Sequence, residues 1–382
     1  MPIHRRELFR QCSAAAIATA LPPSLLASAA AAQPDSPARP VRLNRNESAY
    51  GPSEKTRDAF VESWTESNRY PADDLDALRA AIASFHNVRP ENITLGCGSG
   101  ELLRMSAEAF LSPGKALVTP TPTFDAVARA AQLLPAEARV EVRAVPLTNV
   151  LAHDLDAMLA QSRSGAGLVY ICNPNNPTGT LTPKPDLESF LSRVTDKVPP
   201  GVPILIDEAY HDYVAPAGAY ASFLSRAAAD PRLIVTRTFS KIYGLAGLRI
   251  GYAVSAPETA KLLAARRLAM GVNVVAARVA LAAFADQPYV SKIAARNADD
   301  RQEFLNQANS RMLRAIQSHA NFALLAAGAL GTEVAAQLRA RGVLVSAGYP
   351  AFPNHIRVSF GLPADMRRFW TAWDSVIPSN PM

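Results

Sequence analysis

An α/β protein, with a large body on a mostly parallel sheet and a smaller α+β body, is the fold class this sequence predicts. Three observations carry the prediction. Short apolar runs of strand length alternate with longer stretches of helical periodicity, the pattern of a parallel sheet covered by helices on both faces. Polar, Gly- and Pro-rich clusters follow several of those runs, and in open α/β sheets ligands are held at the carboxyl ends of strands. The chain has 382 residues, enough for one large domain and a second, smaller one.

Composition narrows the function classes. Charged residues make up 19% and hydrophobic residues 49%, which suits a globular enzyme and excludes a disordered chain. The net charge of +6 comes without a basic run or interleaved aromatics, so nucleic acid is not an expected partner. The cysteines are Cys12, Cys97 and Cys172, too few for a disulfide framework. No HExxH, paired CxxC or Walker loop is present, and no metal is expected.

The N-terminus reads as an address. His4-Arg5-Arg6-Glu7-Leu8-Phe9-Arg10 resembles the twin-arginine export pattern. An alanine-rich apolar run and the small residues Ala30-Ala31-Ala32 follow it, completing a signal peptide over 1–32. Pro22 and Pro23 interrupt the run, so a membrane-spanning helix is not expected. The expected location is periplasmic, with membrane contact only during export. Residues 33–42 form a Pro- and Ala-rich linker without periodicity.

The remaining elements follow in order. Leu43-Asn44-Arg45-Asn46-Glu47-Ser48-Ala49-Tyr50-Gly51-Pro52-Ser53 is a polar, turn-rich arm. Residues 54–66 are helical, broken at Arg69-Tyr70-Pro71 because proline disfavours helix before it. A second helix over 73–86 takes Asp73 or Asp74 as its N-cap. Strands are expected at 93–95, 116–119, 140–145, 167–172, 203–206, 232–236 and 252–254, then a helix over 257–270. Helices at 276–284, 290–315 and 333–341 and strands at 322–325 and 355–361 build the second body. Domain limits follow: arm 43–70, large domain 71–265, small domain 266–382.

Four clusters carry chemistry. Gly96-Cys97-Gly98-Ser99-Gly100-Glu101 precedes a helix, where converging N–H groups and the helix dipole favour an anion; on its own it is also an ordinary helix-starting turn. Asp207, in Asp207-Glu208-Ala209-Tyr210, ends an apolar strand, and a buried carboxylate needs a cation partner. Lys241, in Thr238-Phe239-Ser240-Lys241, follows another buried strand, where burial and nearby Arg249 would keep its amine nucleophilic. Arg357 sits near the middle of a β-rich strand, and its fork matches a carboxylate bidentately.

The stretch from Thr238 to Gly251 resembles the lysine segment of class I and II pyridoxal-phosphate-dependent aminotransferases. Asn173-Pro174-Asn175-Asn176-Pro177-Thr178-Gly179 matches another of their motifs. The arm, the Arg-Tyr-Pro turn, Pro120-Thr121-Pro122-Thr123-Phe124 and the Arg357 strand are similar to histidinol-phosphate aminotransferase-like members. Together these span about Leu43 to Gly361.

That resemblance implies the fold-type-I, aspartate aminotransferase-like architecture, pyridoxal 5'-phosphate as cofactor, and a homodimer. It implies amino transfer between an amino acid and a 2-oxo acid through a Schiff base on Lys241, which also shuttles the α-proton. Asp207 would face the cofactor's ring nitrogen, while Asn176 and Tyr210 reach its phenolic oxygen and Phe124 stacks on the ring. Ser99, Gly100, Thr238, Ser240, Arg249 and the Tyr70 of a partner subunit would hold the phosphate. Arg357 would bind the substrate's anionic group, with Asn46, Glu47 and Tyr50 lining the entrance.

The amino donor stays open. Ser346 stands where histidinol-phosphate aminotransferases usually carry an arginine for the substrate phosphate. Their L-x-P-Y element has no match in 33–41, and export is at odds with histidine synthesis. A carboxylate-bearing donor is therefore preferred to histidinol phosphate. The same scaffold also hosts decarboxylases, C–S lyases and a capreomycidine-synthase-like cyclase.

Overall fold

Apolar runs of four to seven residues become the strands of one sheet, and a second, smaller pair of sheets packs beyond it. The strands are β1 (Val41–Arg42), β2 (Ile93–Gly96), β3 (Ala116–Thr121), β4 (Glu141–Pro146), β5 (Ala166–Cys172), β6 (Ile204–Asp207), β7 (Leu233–Thr238), β8 (Gly251–Val254), β9 (Phe322–Ala326), β10 (Val343–Leu344) and β11 (His355–Ser359). The computed structural model describes residues 39–135, 140–197, 202–214 and 219–376. The expected signal peptide at 1–32 and the linker through residue 38 lie outside the described residues.

The central sheet has the order β2-β8-β7-β6-β5-β3-β4. Strands β7, β6, β5, β3 and β4 are mutually parallel, whereas β8 runs antiparallel to both of its neighbours. The reversal has a local cause: β7 returns to β8 through the lysine turn without a crossover helix, so the two strands must be antiparallel.

Both faces of the sheet are buried. On β5, Val169 and Ile171 join one apolar cluster, and Leu168, Tyr170 and Cys172 join the other, the period-two alternation of a covered strand. The first cluster runs on through the helix Val274–Ala285 to Val290 and Ile293. A separate core, built on Leu43, Phe304, Phe360, Phe369, Trp370 and Trp373, lies under β9–β11 and the helices Gly331–Ala340 and Pro363–Val376. Both cores reach the helix Gln287–Ser310, the first through Val290 and Ile293 and the second through Phe304 and Ala308.

Other expectations are corrected locally. Val41 and Arg42 are not linker: they pair with Val343 and Leu344, and Val41 is buried. The helix expected over 257–270 ends at Ala264. Beyond it, the Leu268 N–H donates to Glu101 Oε1 and Arg104 Nη2 to the Arg266 carbonyl, which pins the chain to the helix Ser99–Phe110. Neither Asp73 nor Asp74 caps the helix Ala72–Phe85; Pro71 occupies the N-cap, and Asp74 instead pairs with Arg278 at 2.7 Å.

Candidate active site

The ends of β2, β5, β6 and β7, the middle of β11 and the N-terminal arm build the site. β6 delivers Asp207, which is 2% exposed. Burial pushes its carboxyl up to about 6, since a low-dielectric setting disfavours the charged form. Thr236 Oγ1 donates to its Oδ1 at 3.0 Å and the Tyr170 hydroxyl to its Oδ2 at 3.3 Å. Among the described residues no ion pair closes on Asp207.

β7 delivers Lys241 into the turn that follows it. Its Nζ donates to the Asn46 carbonyl at 3.0 Å and the Arg45 carbonyl at 3.3 Å, and lies 5.5 Å from the centre of the Tyr210 ring. Burial, and then the charge of Arg357, pull its amine down to about 8. Sequence reasoning credited Arg249 with that charge effect. Arg249 acts in the same direction but ranks behind Arg357, because its guanidinium turns outward to Ser240 Oγ at 3.1 Å and the Ala246 carbonyl at 3.0 Å.

The glycine loop lies beside that guanidinium. Gly98, at φ +74, is the N-cap of the helix Ser99–Phe110 and offers no side-chain cap, so the first N–H groups of the helix are left for an external acceptor. A Cβ on Gly98 would fall 2.2 Å from Arg249 Nη2, and one on Gly251 would fall 2.6 Å from the Ser99 nitrogen. Two absent side chains thus let Arg249 and the helix start converge. Thr238 Oγ1 accepts from the Ser240 N–H at 3.1 Å, which fixes the other wall. Phe124 is half-buried and packs on the cluster containing Tyr170 and Cys172.

Arg357 comes from β11 of the smaller body. Its Nη1 donates to Asn176 Oδ1 at 2.6 Å and its Nη2 to the Asn44 carbonyl at 3.1 Å. The guanidinium lies 5.3 Å and 5.7 Å from the ring centres of Phe322 and Tyr349. Its buried Nε has no partner, a donor that an anion would satisfy. Ser346 Oγ is 2.8 Å from the Tyr349 hydroxyl. Arg357, Lys241 and Arg249 together make the site anion-attracting.

The arm behaves differently from expectation. Asn46 does not line an entrance; it is 1% exposed, at φ 53. Its Nδ2 donates to the Tyr210 hydroxyl at 3.0 Å, its N–H to Ser359 Oγ at 2.8 Å, and its carbonyl also accepts from Asn321 Nδ2. The Glu47 carbonyl takes the same Asn321 amide at 3.1 Å, and its carboxylate stands 4.0 Å from Arg42. Tyr50 is tied to the helix Gln287–Ser310 rather than to the residues around Lys241: its hydroxyl donates to Asp300 Oδ2 at 2.7 Å and accepts from Arg296 Nε at 2.8 Å. Tyr70, 81% exposed, is not brought to the cluster.

Sequence reasoning missed Tyr170, Thr236, Asn175 and Asn321. Asn175 clasps two loops, accepting from Thr123 Oγ1 at 2.8 Å and donating to the Pro122 carbonyl at 3.0 Å. A tyrosine and a threonine inside apolar strands carry no local signal beyond the presence of a hydroxyl that must find a partner.

A buried carboxylate awaiting a cation, an amine of lowered proton affinity and an uncapped helix start beside an arginine fit one compound group. It has a basic ring nitrogen, an aldehyde and a phosphate, as pyridoxal 5'-phosphate does. Residues 38–372 match the family model described as aminotransferase class I and II. The chain is 38% identical over 333 residues to a histidinol-phosphate aminotransferase of Symbiobacterium thermophilum, covering 86% of this chain and 88% of that one. A Cupriavidus pinatubonensis enzyme of the same name is 37% identical over 341 residues, covering 88% of each. The solved histidinol-phosphate aminotransferase of Sinorhizobium meliloti, in complex with pyridoxal-5'-phosphate, superposes with a TM-score of 0.80 at 28% identity, covering 88% of this chain and 90% of that one. The aspartate aminotransferase of Thermus thermophilus with maleate shares the fold, at a TM-score of 0.75, 20% identity and 89% and 92% coverage.

Proposed function

The chain belongs to the class I and II aminotransferases, pyridoxal-phosphate enzymes that move an amino group between an amino acid and a 2-oxo acid, and on that premise we propose how its residues divide the work. The bound cofactor supplies an aldehyde that captures the amine and a ring that accepts the electron pair left by the departing α-proton. Lys241 is the amine that would carry the cofactor and, when free, would take the substrate's α-proton and return it to the carbon on the far side of the transferred nitrogen. Asp207 would keep the ring nitrogen protonated; Asn176 and Tyr210 would meet the phenolic oxygen, and Phe124 would cover the ring. The N–H groups of Ser99 and Gly100, with Thr238, Ser240 and Arg249, would hold the phosphate.

The observation that carries this reading is the placement of Lys241: half-buried, its amine pulled down to about 8, in one cluster with Asp207 and Arg357. Absorbance during addition of an amino acid without any acceptor tests it. Conversion of the bound cofactor to its amine form, lost in Lys241→Ala, is the expected result. A variant that still binds the cofactor covalently sinks the assignment.

The proposed donor carries an α-carboxylate that binds Arg357, supported by the unpaired Nε and by Ser346, whose hydroxyl pairs with Tyr349 instead of offering a cation. The names of the relatives favour histidinol phosphate as a second reading. A donor panel that includes it decides: turnover with histidinol phosphate alone would reject the carboxylate reading.

A homodimer is also proposed. Phe60, Val61, Trp64 and Tyr70, with Leu262, Leu268 and Met270, are exposed apolar residues of the kind a partner covers, and Tyr70 of the partner subunit would complete the phosphate site. Light scattering on the purified protein tests the dimer. Export through the twin-arginine pathway to the periplasm is supported by residues 1–32 alone. Cell fractionation should find the protein in the periplasm and, with Arg5 and Arg6 changed to Lys, in the cytoplasm.

A further inference from the structure

The Asp207 carboxylate receives one hydroxyl on each oxygen, from two strands that flank its own. Parallel register sets Cys172 of β5 opposite Asp207 on one side and Thr236 of β7 opposite it on the other. Alternation then puts Tyr170, two residues before Cys172, on the same face, and its side chain is long enough to reach along the strand. Thr236 Oγ1 donates to Oδ1 at 3.0 Å and the Tyr170 hydroxyl to Oδ2 at 3.3 Å. Both residues are fully buried, over Leu168, Leu205 and Ile234.

This setting contains two opposed effects. Burial among apolar side chains favours the neutral acid, while hydroxyl donors favour the carboxylate, which only accepts. The other ionisable groups facing Asp207 are the Cys172 thiol of β5, kept neutral by burial, Tyr210 and Glu208 on its own side, and Lys241 beyond β7. Glu208 disfavours the charge, and the Lys241 amine, beyond β7, contributes less than the hydroxyls that touch the carboxylate. The two hydroxyls, helped by the Ala209 N–H, are what hold the charge in place.

We propose that Tyr170 and Thr236 are positioning residues that keep Asp207 ionised, so that the proton it shares with the cofactor's ring nitrogen stays on the nitrogen. The proposal rests on the reading that Asp207 faces that nitrogen. It makes the electron-accepting strength of the ring depend on two strand-interior hydroxyls outside all the sequence motifs.

The test uses holoenzyme carrying cofactor labelled with 15N at the ring nitrogen. In the unaltered enzyme the resonance should lie at the protonated position. Tyr170→Phe and Thr236→Val each remove one oxygen while keeping the side chain's outline, and each should move the resonance toward the unprotonated position, the double variant furthest. The turnover number in the half-reaction should fall about tenfold per donor, the equivalent of one pKa unit, with little change in KM. Thr236→Ser keeps the hydroxyl while losing a methyl group, so it should hold the resonance in place; a merely structural role for Thr236 predicts the reverse. Asp207→Asn separates the two readings. If it moves the resonance while Tyr170→Phe and Thr236→Val do not, the brace is rejected. If Asp207→Asn leaves the resonance unmoved, the assignment of Asp207 falls, and the brace with it.

Discussion

Lys241 Nζ donates to the backbone carbonyl of Asn46 across 3.0 Å, joining residues 195 apart in sequence. The arm is therefore part of the lysine's immediate surroundings. The crossing is close enough that Gly244, at φ +71 in the lysine turn, would place a Cβ 2.3 Å from the Gly51 carbonyl carbon. A left-handed backbone and an occupied site both exclude a side chain there.

Gly244→Ala should destabilise the protein by about 2 kcal/mol or more, the cost of left-handed strain plus displacement of the arm. Urea unfolding measures the stability, and cofactor affinity should fall with it. Unchanged values for both would mean that the arm does not press on the lysine turn.

Arg357→Gln should raise KM for an amino acid donor about a hundredfold, as loss of a charge-assisted fork does. It should also raise the proton affinity of Lys241, because Arg357 is the largest charge contribution pulling it down. The pH midpoint for chemical labelling of that amine in cofactor-free protein should move upward. A downward shift would contradict the electrostatic picture.

Asp207 should cost stability when the cofactor is absent. Its folded carboxyl is raised from 3.8 to about 6, so between those values the folded state binds more protons than the unfolded one. Stability from this group therefore falls as pH rises through that window and stays reduced above it. Cofactor-free Asp207→Asn should be more stable than the unaltered protein at pH 7.5, by up to about 3 kcal/mol. The advantage should vanish near pH 4. Thermal melts at both pH values check the sign, and a less stable variant at pH 7.5 would refute it.

If Tyr70 serves the neighbouring subunit, Tyr70→Phe and Lys241→Ala act on sites that one mixed dimer can restore. Co-refolding the two impaired variants should regain activity above what either shows alone. No recovery, with mixed dimers demonstrated by mass, would place Tyr70 outside the site.

The sequence by itself determined where the residues of the candidate site stand along the chain. Lys241 after a buried strand, Asp207 at a strand end, the glycines before Ser99 and the Asn-Pro run ahead of Thr178 are all written in contiguous residues. Turn chemistry and hydrophobic periodicity act over only a few positions. The parallel sheet was legible for the same reason, whereas the antiparallel direction of β8 shows only in the pairing of the strands.

Tertiary structure decided the pairs. Arg357 reaches Asn176 across 181 residues, Tyr50 turns to Asp300 on the helix Gln287–Ser310 rather than toward Lys241, and Asn46 is buried beneath Tyr210 and Ser359 instead of at an entrance. Tyr170 and Thr236 meet Asp207 only because three parallel strands share one register. A side chain's direction over such spans is fixed by register and packing. Those are set by the whole chain at once, so Lys241 and Asp207 at their strand ends could be read in the sequence while the groups that surround them could not.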